Sequence, residues 1–270
     1  MQVEGRTETT TNQNFSIKGW SRYERNGTAL LDHRLLYAIR YNQSPMTKIV
    51  ALVPMRHHSQ RVPGKNYRPL AGKPLFHHII ETLLSVPEIT EVVVDTDSEP
   101  VMEGLRDHFP QVIIINRPMS LRGDDVPMNR ILIHDTEQVP ADFYLQTHST
   151  NPLLRPETVS RAIRSFLADF PNHACLFSVT RLQTRLYDRD GQAINHNPKE
   201  LLQTQDLPPV YEENSCIYIF SRANLVKDQH RISDRALLFE IDAAEAWDID
   251  EELDFAMTEF LMKKPLNDKE

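Results

Sequence analysis

The stretches KIVALVPM (48–55), KPLFHHIIETLL (73–84) and EVVVDTD (91–97) decide the fold. The first and third are short, apolar and rich in valine and isoleucine, which reads as strands buried on both faces. Between them, apolar pairs at Leu75/Phe76, Ile79/Ile80 and Leu83/Leu84 recur at helical spacing and predict an amphipathic helix. A strand, a helix and a second strand in this order make the crossover unit of a parallel sheet.

The alternation continues. A helix is expected over 99–108, then the strand VIIIN, a helix over 129–138, the strand DFYLQ, a helix over 157–170 and the strand ACLFSVT. Together these predict an α/β protein with a doubly wound, mainly parallel, mixed sheet. The rhythm breaks at residues 181–212, where the turn signal DRDG and several prolines predict a hairpin and loop excursion that serves as a lid or a dimerisation element. The strand SCIYIF follows. LLFEIDAAEAWDIDEELDFAMTEFLM then supplies a strand, a loop and a helix whose acidic first turn suits the positive end of its dipole.

Residues 1–45 form a polar, Thr- and Asn-rich extension that is expected to be poorly ordered, and 46–265 form the folded domain. Because Met46 directly precedes the first strand, one expectation is a native chain that begins there. Among the 270 residues, Lys plus Arg number 30 against 38 Asp plus Glu, a formal net charge of -8 that argues against nucleic acid or an anionic membrane as a partner. Any anion must therefore be met locally. Two cysteines, Cys175 and Cys216, far apart and outside metal-ligand spacing, support neither a disulfide framework nor a zinc site and suggest a reducing, cytoplasmic location. No stretch reads as a membrane span or a secretory signal.

The loop RHHSQRVPGKN (56–66) gathers Arg56, Arg61 and Lys65 at the carboxyl end of the first strand, where open α/β sheets bind ligands. These cations suit phosphate oxygens; on their own they read equally well as a solvated basic turn. The loop is neither a Walker loop nor a GxGxxG dinucleotide turn. Asp248 and Asp250 can converge on a hard cation, although by themselves they read as an acidic helix start. The pairs His57/His58 and His77/His78 lack partners at ligand spacing and are discounted as metal ligands.

The same loop resembles the opening segment of the acylneuraminate cytidylyltransferases, IPARGGSKGIPxKN, with features of the CMP-Kdo synthetases, PARxxSxRLPGK. Pro54, Arg56, Ser59, Pro63, Lys65 and Asn66 are retained, His57 and His58 replace two glycines, and Gln60 replaces a lysine that Arg61 can substitute. Further segments match in the same order: AGKPLFHHIIETLL is similar to the GKPLI helix, VVVDTDS to STDS, INRPMSL to RPxxLA, LQTHSTNPLLR to LQPTSPLR, QDLPPVYEENSCIYIF to QDLPxxYxxNGAIYI, and DIDEELDF to DIDTELDL. The resemblance spans most of residues 48–262.

The resemblance implies a nucleotide-diphospho-sugar transferase-like sheet, and the hairpin excursion makes a homodimer the expected assembly. The implied reaction is attack of a keto-acid sugar hydroxyl on CTP, giving a CMP-sugar and pyrophosphate. It assigns Arg56, Arg61 and Lys65 to the triphosphate as catalytic cations, and Ser59, Asn66 and Arg117 to the nucleotide. Gln146, Gln205, Tyr211 and Asn214 would contact the sugar, and Asp248 and Asp250 would hold Mg²⁺. A sugar acid brings a carboxylate, for which Arg185, ahead of Arg181, is the expected cation. Gln60, the double histidine and Ser215, where the family usually has glycine, bear on which sugar is used. The competing readings are another nucleotidyltransferase or a glycosyltransferase on a similar sheet, and a non-catalytic nucleotide- or sugar-binding relative.

Overall fold

Residues 47–263 are described by the computed structural model. Seven strands form one sheet, β1 (Ile49–Leu52), β4 (Glu91–Thr96), β5 (Ile113–Asn116), β6 (Phe143–Gln146), β7 (Cys175–Leu182), β8 (Val210–Phe220) and β9 (Ala236–Glu240), in the order β5-β4-β1-β6-β8-β7-β9. All neighbours are parallel except at β8, which runs antiparallel to both β6 and β7. The sheet is mixed and mainly parallel, as the alternating pattern requires. A two-stranded ribbon, β2 (Pro69–Leu70) and β3 (Lys73–Pro74), turns the chain into the first helix through Ala71 and Gly72, both at positive φ.

That helix, α1 (Leu75–Leu84), buries Leu75, Phe76, Ile79, Ile80 and Leu83, each side chain contributing about 1.5–3 kcal/mol by leaving water. Four more long helices, α2 (Glu99–His108), α3 (Met128–Gln138), α4 (Pro156–Asp169) and, near the end, α6 (Glu252–Lys263), match the periodic segments; the short α5 (Arg222–Asp228) follows β8. Pro156 opens α4, where its missing N–H is not needed. Asp254 accepts the amides of Asp250 and Glu251 at 3.0 and 2.8 Å and so closes the start of α6.

The core under one face joins Val50, Leu52, Val93, Leu132, Tyr144, Tyr218 and Phe220. Its buried tyrosine hydroxyl is fully engaged: Tyr144 donates to the Val139 carbonyl at 3.0 Å and accepts from the Ala141 amide at 2.9 Å. No helix among the described residues is long and apolar enough to cross a membrane.

The excursion is a hairpin. Tyr187 and Ala193 bridge in antiparallel fashion, and the Asp188 amide bonds the Gln192 carbonyl around the DRDG turn, with Gly191 at φ 77°. Residues 210–214 extend β8 well past the apolar SCIYIF segment and pair with the far end of β7. A register irregularity separates the two stretches, between Phe177 and Val179. Beside it Ser215 adopts φ 60°, a conformation that favours glycine.

Candidate active site

Strand β1 continues through Val53 and Met55, whose amides bond the Val93 and Asp95 carbonyls at 2.9 and 2.8 Å, and the chain leaves the sheet at Arg56. The loop that follows turns at Gly64, where φ is 68° and a β-carbon would sit 2.9 Å from the Tyr67 ring. A larger residue would be strained at that φ and would push against the Tyr67 ring. Asn66, buried, bonds the Arg56 carbonyl at 2.9 Å and accepts the Ser149 hydroxyl at 2.6 Å, tying both ends of the loop to the β6 exit.

The paired aspartates are brought to this loop by a buried anchor. Glu245 accepts the Arg155 amide at 3.0 Å, its guanidinium at 2.6 and 2.9 Å and the Thr158 hydroxyl at 2.9 Å, all at the start of α4. Four residues on, Ile249 is buried against Val62, Leu70, Leu75 and Phe255. With Ile249 turned inward, Asp248 and Asp250 on either side of it both line a cleft of about 500 Å³.

Five cations and three carboxylates line that cleft: Arg56, Arg61, Lys65, Arg117 and Arg122 against Asp124, Asp248 and Asp250. The local balance is positive in a chain that is acidic overall. Arg56 pairs with Asp124 at 2.7 Å and Arg61 with Asp250 at 2.9 Å, both in partly solvated positions. Lys65 bonds the Ile249 carbonyl and lies 3.6 Å from Asp250. Burial lowers the Lys65 pKa, a shift that Asp248 and Asp250 oppose and Arg61 reinforces. Enclosure also raises the Asp248 pKa, even though the side chain opens onto the cleft, and Asp250 adds to that shift. Such charges are poised to exchange partners when an anion enters.

Arg117 differs from the other cations. It is buried, with its guanidinium on the Asp95 carboxylate and on the Asp95 carbonyl at 3.2 Å. His134 and Asp135 from α3 complete this cluster, with His134 Nδ1 3.2 Å from Asp135 and 3.9 Å from Asp95. One outer carboxylate oxygen of Asp95 and one of Asp135 have no hydrogen-bond partner among the described residues. Burial and the Asp95 charge push the Asp135 pKa up to about 9, so a proton held there relieves the pair. The ligand atoms of Asp95, His134 and Asp135 lie within 4.8 Å of one another, near enough to share an ion, with Arg117 already supplying positive charge on one side.

The sugar-side assignments divide. Gln146 is fully buried; it accepts from Arg231 at 2.7 Å and donates to the Thr147 carbonyl at 3.0 Å and to His148 Nε2 at 3.1 Å. Since an arginine can only donate, the amide orientation is fixed, and His148 Nε2 must accept, leaving its proton on Nδ1. Burial, then Arg231 and Lys65, push the His148 pKa down to about 4, which keeps the ring neutral at the cleft wall. Asn214 holds the β7–β8 irregularity, accepting the Ser178 hydroxyl at 2.6 Å and donating to Thr180 at 3.0 Å. Arg185 bonds the Leu202 carbonyl, Gln205 bonds Gln203, and Tyr211 is exposed on β8; these three lie on or beside the excursion, and none of the five sugar-side residues, Gln146 and Asn214 included, lines the cleft. Ser59 lines it, its hydroxyl accepting the Val62 amide at 3.4 Å.

Sequence reading missed Asp124, Arg122, His148, the Asp95–Asp135 pair and Arg231. A charged residue inside the apolar run EVVVDTD was a signal for Asp95. The others sit in loops or on helices with no distinguishing pattern.

A basic loop after the first strand, facing carboxylates across a cleft at the carboxyl ends of parallel strands, is the layout of a nucleotide-handling α/β enzyme. The model of the cytidylyltransferase family matches residues 50–264, so the chain belongs to that family and is a nucleotidyltransferase. It is 29% identical over 226 residues to CMP-N,N'-diacetyllegionaminic acid synthase of Legionella pneumophila, covering 80% of this chain and 97% of that protein. It is also 32% identical to a 3-deoxy-manno-octulosonate cytidylyltransferase of Escherichia coli, over 46% of this chain and 48% of that one. Among solved structures, a CMP:2-keto-3-deoxy-manno-octonic acid synthetase complexed with CTP superposes with a TM-score of 0.61 at 19% identity, over 82% of this chain and all of that one. A 4-diphosphocytidyl-2C-methyl-D-erythritol synthase of Anaerococcus prevotii gives 0.58 at 10% identity, over 81% and 97%. At these identities the two structures show the shared fold.

Proposed function

We propose that the protein activates a keto-acid sugar, of the sialic acid-like nonulosonate type, with CTP, releasing pyrophosphate and forming a CMP-sugar. The observation that carries this reading is the single cleft that joins Arg56, Arg61 and Lys65 to Asp248 and Asp250. In-line transfer at phosphorus asks the protein for positioning and for charge neutralisation. Arg56, Arg61 and Lys65 exchange their carboxylate partners for triphosphate oxygens and stabilise the charge that develops on the leaving pyrophosphate. Arg117 and Asn66 hold the nucleotide side of the cleft, and Ser59 stands beside them. The sugar hydroxyl attacks the α-phosphorus, the bond to pyrophosphate breaks, and the hydroxyl proton leaves to solvent.

Asp248 and Asp250 fit Mg²⁺. They offer hard oxygen donors on the cleft wall, and the raised pKa of Asp248 marks a carboxylate that a nearby cation would relieve. Two protein carboxylates are too few for a full shell, so phosphate and water oxygens would complete it. When bound, the ion supplies charge neutralisation between phosphate groups. Arg185, Gln205 and Tyr211 would reach substrate by closure of the excursion or from a second copy in a homodimer. A cytoplasmic location accords with two buried, unpaired cysteines.

The test is a pyrophosphate-release screen of CTP, UTP, GTP and ATP against several keto-acid sugars, with Mg²⁺ and with a chelator. CTP with a nonulosonate should give Mg²⁺-dependent release. Release from UTP or GTP in preference, or release of a nucleoside diphosphate from a nucleotide sugar, would replace this reading with one of the competing transferases.

A further inference from the structure

We infer that Arg231 is the specificity-determining cation for the carboxylate of the sugar acid. This rests on the cytidylyltransferase reading above and names a residue outside every recognised motif. Arg231 lies in the loop after α5, whose left-handed exit at Gln229 has φ 52°. That loop is held in place: the Arg231 amide bonds the Asn129 side chain at 3.3 Å, and the Ile232 amide bonds His230 Nδ1 at 3.0 Å. The guanidinium crosses 85 residues of sequence to bond Gln146 at 2.7 Å, and its carbon sits 3.6 Å above the centre of the Tyr218 ring.

Among the described residues, the groups that touch this guanidinium, Gln146 and Tyr218, are neutral. The one carboxylate that acts on it is Glu213, through space and by way of the Tyr218 hydroxyl, and no ion pair to Arg231 forms among the described residues. Burial opposes the charge of Arg231. A largely enclosed cation without a carboxylate partner is unfavourable unless an anion completes it. Arg61, Lys65 and Arg56, by contrast, each have a carboxylate within 4 Å.

The surroundings give an anion an approach. Gln146 links Arg231 to His148, and the Tyr218 hydroxyl bonds the Ser215 side chain at 3.1 Å; His148 and Ser215 both line the cleft. Arg231 itself does not line the cleft; it stands one layer behind the wall, joined to it by Gln146 and His148 on one side and by Tyr218 and Ser215 on the other. A planar guanidinium fixed by an aromatic face is suited to a carboxylate in a way that a lysine is not. Arg185, the cation expected from sequence, is engaged on a carbonyl within the excursion; neither it nor Arg231 lines the cleft, but Arg231 is linked to lining residues and Arg185 is not.

The test uses the whole enzyme. Pyrophosphate release from CTP is followed with 3-deoxy-manno-octulosonate, N-acetylneuraminate and N,N'-diacetyllegionaminate, and with the carboxamide analogue of whichever acid reacts best. Arg231→Gln should raise the KM for the acid by about tenfold to a hundredfold, the value of one charge-assisted hydrogen bond. The KM for CTP should stay within about twofold of wild type, which separates recognition of the acid from nucleotide binding. Wild type should reject the carboxamide, Arg231→Gln should no longer discriminate against it, and Arg231→Lys should recover part of the preference. Should Arg231→Gln not fold, Arg231→Lys must still raise the KM for the acid alone. An unchanged KM for the acid, a joint rise for both substrates, or a rise in Arg185→Gln instead would overturn the inference. Failure of wild type to release pyrophosphate from CTP with any acid would overturn the proposed function itself, and is read before any variant is made.

Discussion

Two pairs of aspartates sit within reach of cations in this molecule, and their surroundings give them opposite behaviour. Asp248 and Asp250 open onto the cleft, and Asp250 touches Arg61 and Lys65 in contacts that an entering anion can replace. Asp95 and Asp135 are dry, have one fixed guanidinium on the Asp95 carboxylate, and leave two oxygens without partners among the described residues. The same side chains make an exchangeable electrostatic switch where water reaches them and a rigid mount where it does not. The mount has a use, because Arg117 is presented to the cleft from a position that its carboxylate does not let it leave.

The sharpest way to break the contrast is to remove the fixed cation. Arg117→Met should destabilise the fold by about 3–5 kcal/mol, since Asp95 would be left as an uncompensated buried charge. Chemical denaturation reads this directly, and a loss below about 1 kcal/mol would mean that the cluster relaxes or admits water.

On the open side the effect should fall on rate and spare the fold. Arg56→Ala should lose about 2.7–4 kcal/mol of transition-state stabilisation, measured as kcat, with an unchanged unfolding midpoint. Asp250→Asn should likewise lose most turnover in Mg²⁺; near-normal activity would remove the metal assignment, and a binding defect without a rate defect would make Arg56 a ground-state contact.

A further test sharpens the comparison through pH. Burial and Asp95 hold the Asp135 pKa near 9, with Arg117 opposing, so the folded protein keeps a proton that the unfolded chain has released by about pH 4. The contribution is fully present below the unfolded pKa, and stability declines as pH rises toward the folded one. Asp135→Asn, which cannot titrate, should gain in Tm relative to wild type as pH increases from 5 to about 9. Parallel curves for the two proteins would show that the pair shares no proton.

The parallel half of the sheet was legible because strands buried on both faces are apolar throughout, as in Val50 to Val53 and Val92 to Val94. The outer half was legible only in part. SCIYIF marks the buried end of β8, but the preceding VYEEN is polar and exposed, and only its partner on β7 makes it a strand. The β2–β3 ribbon is too short to carry a period. At the site, the cations of the first loop and the paired aspartates follow from residue type and position. Asp124 and Arg231 do not, because each earns its meaning from a contact that closes a long span of chain. Ser215 lies between: its family position suggested glycine, and its positive φ gives the physical reason.

The antiparallel strand also dictates how this sheet can be completed. Because β8 lies between β6 and β7, two strands made earlier in synthesis must stand one strand-width apart and wait for a segment that emerges later. Until residues 210–220 arrive, both flanks present open backbone donors and acceptors, the kind of surface that recruits other chains. The outer half of the sheet is therefore joined to the inner half by an insertion, and a chain cut short before that segment would lack the strand that links β7 to β6.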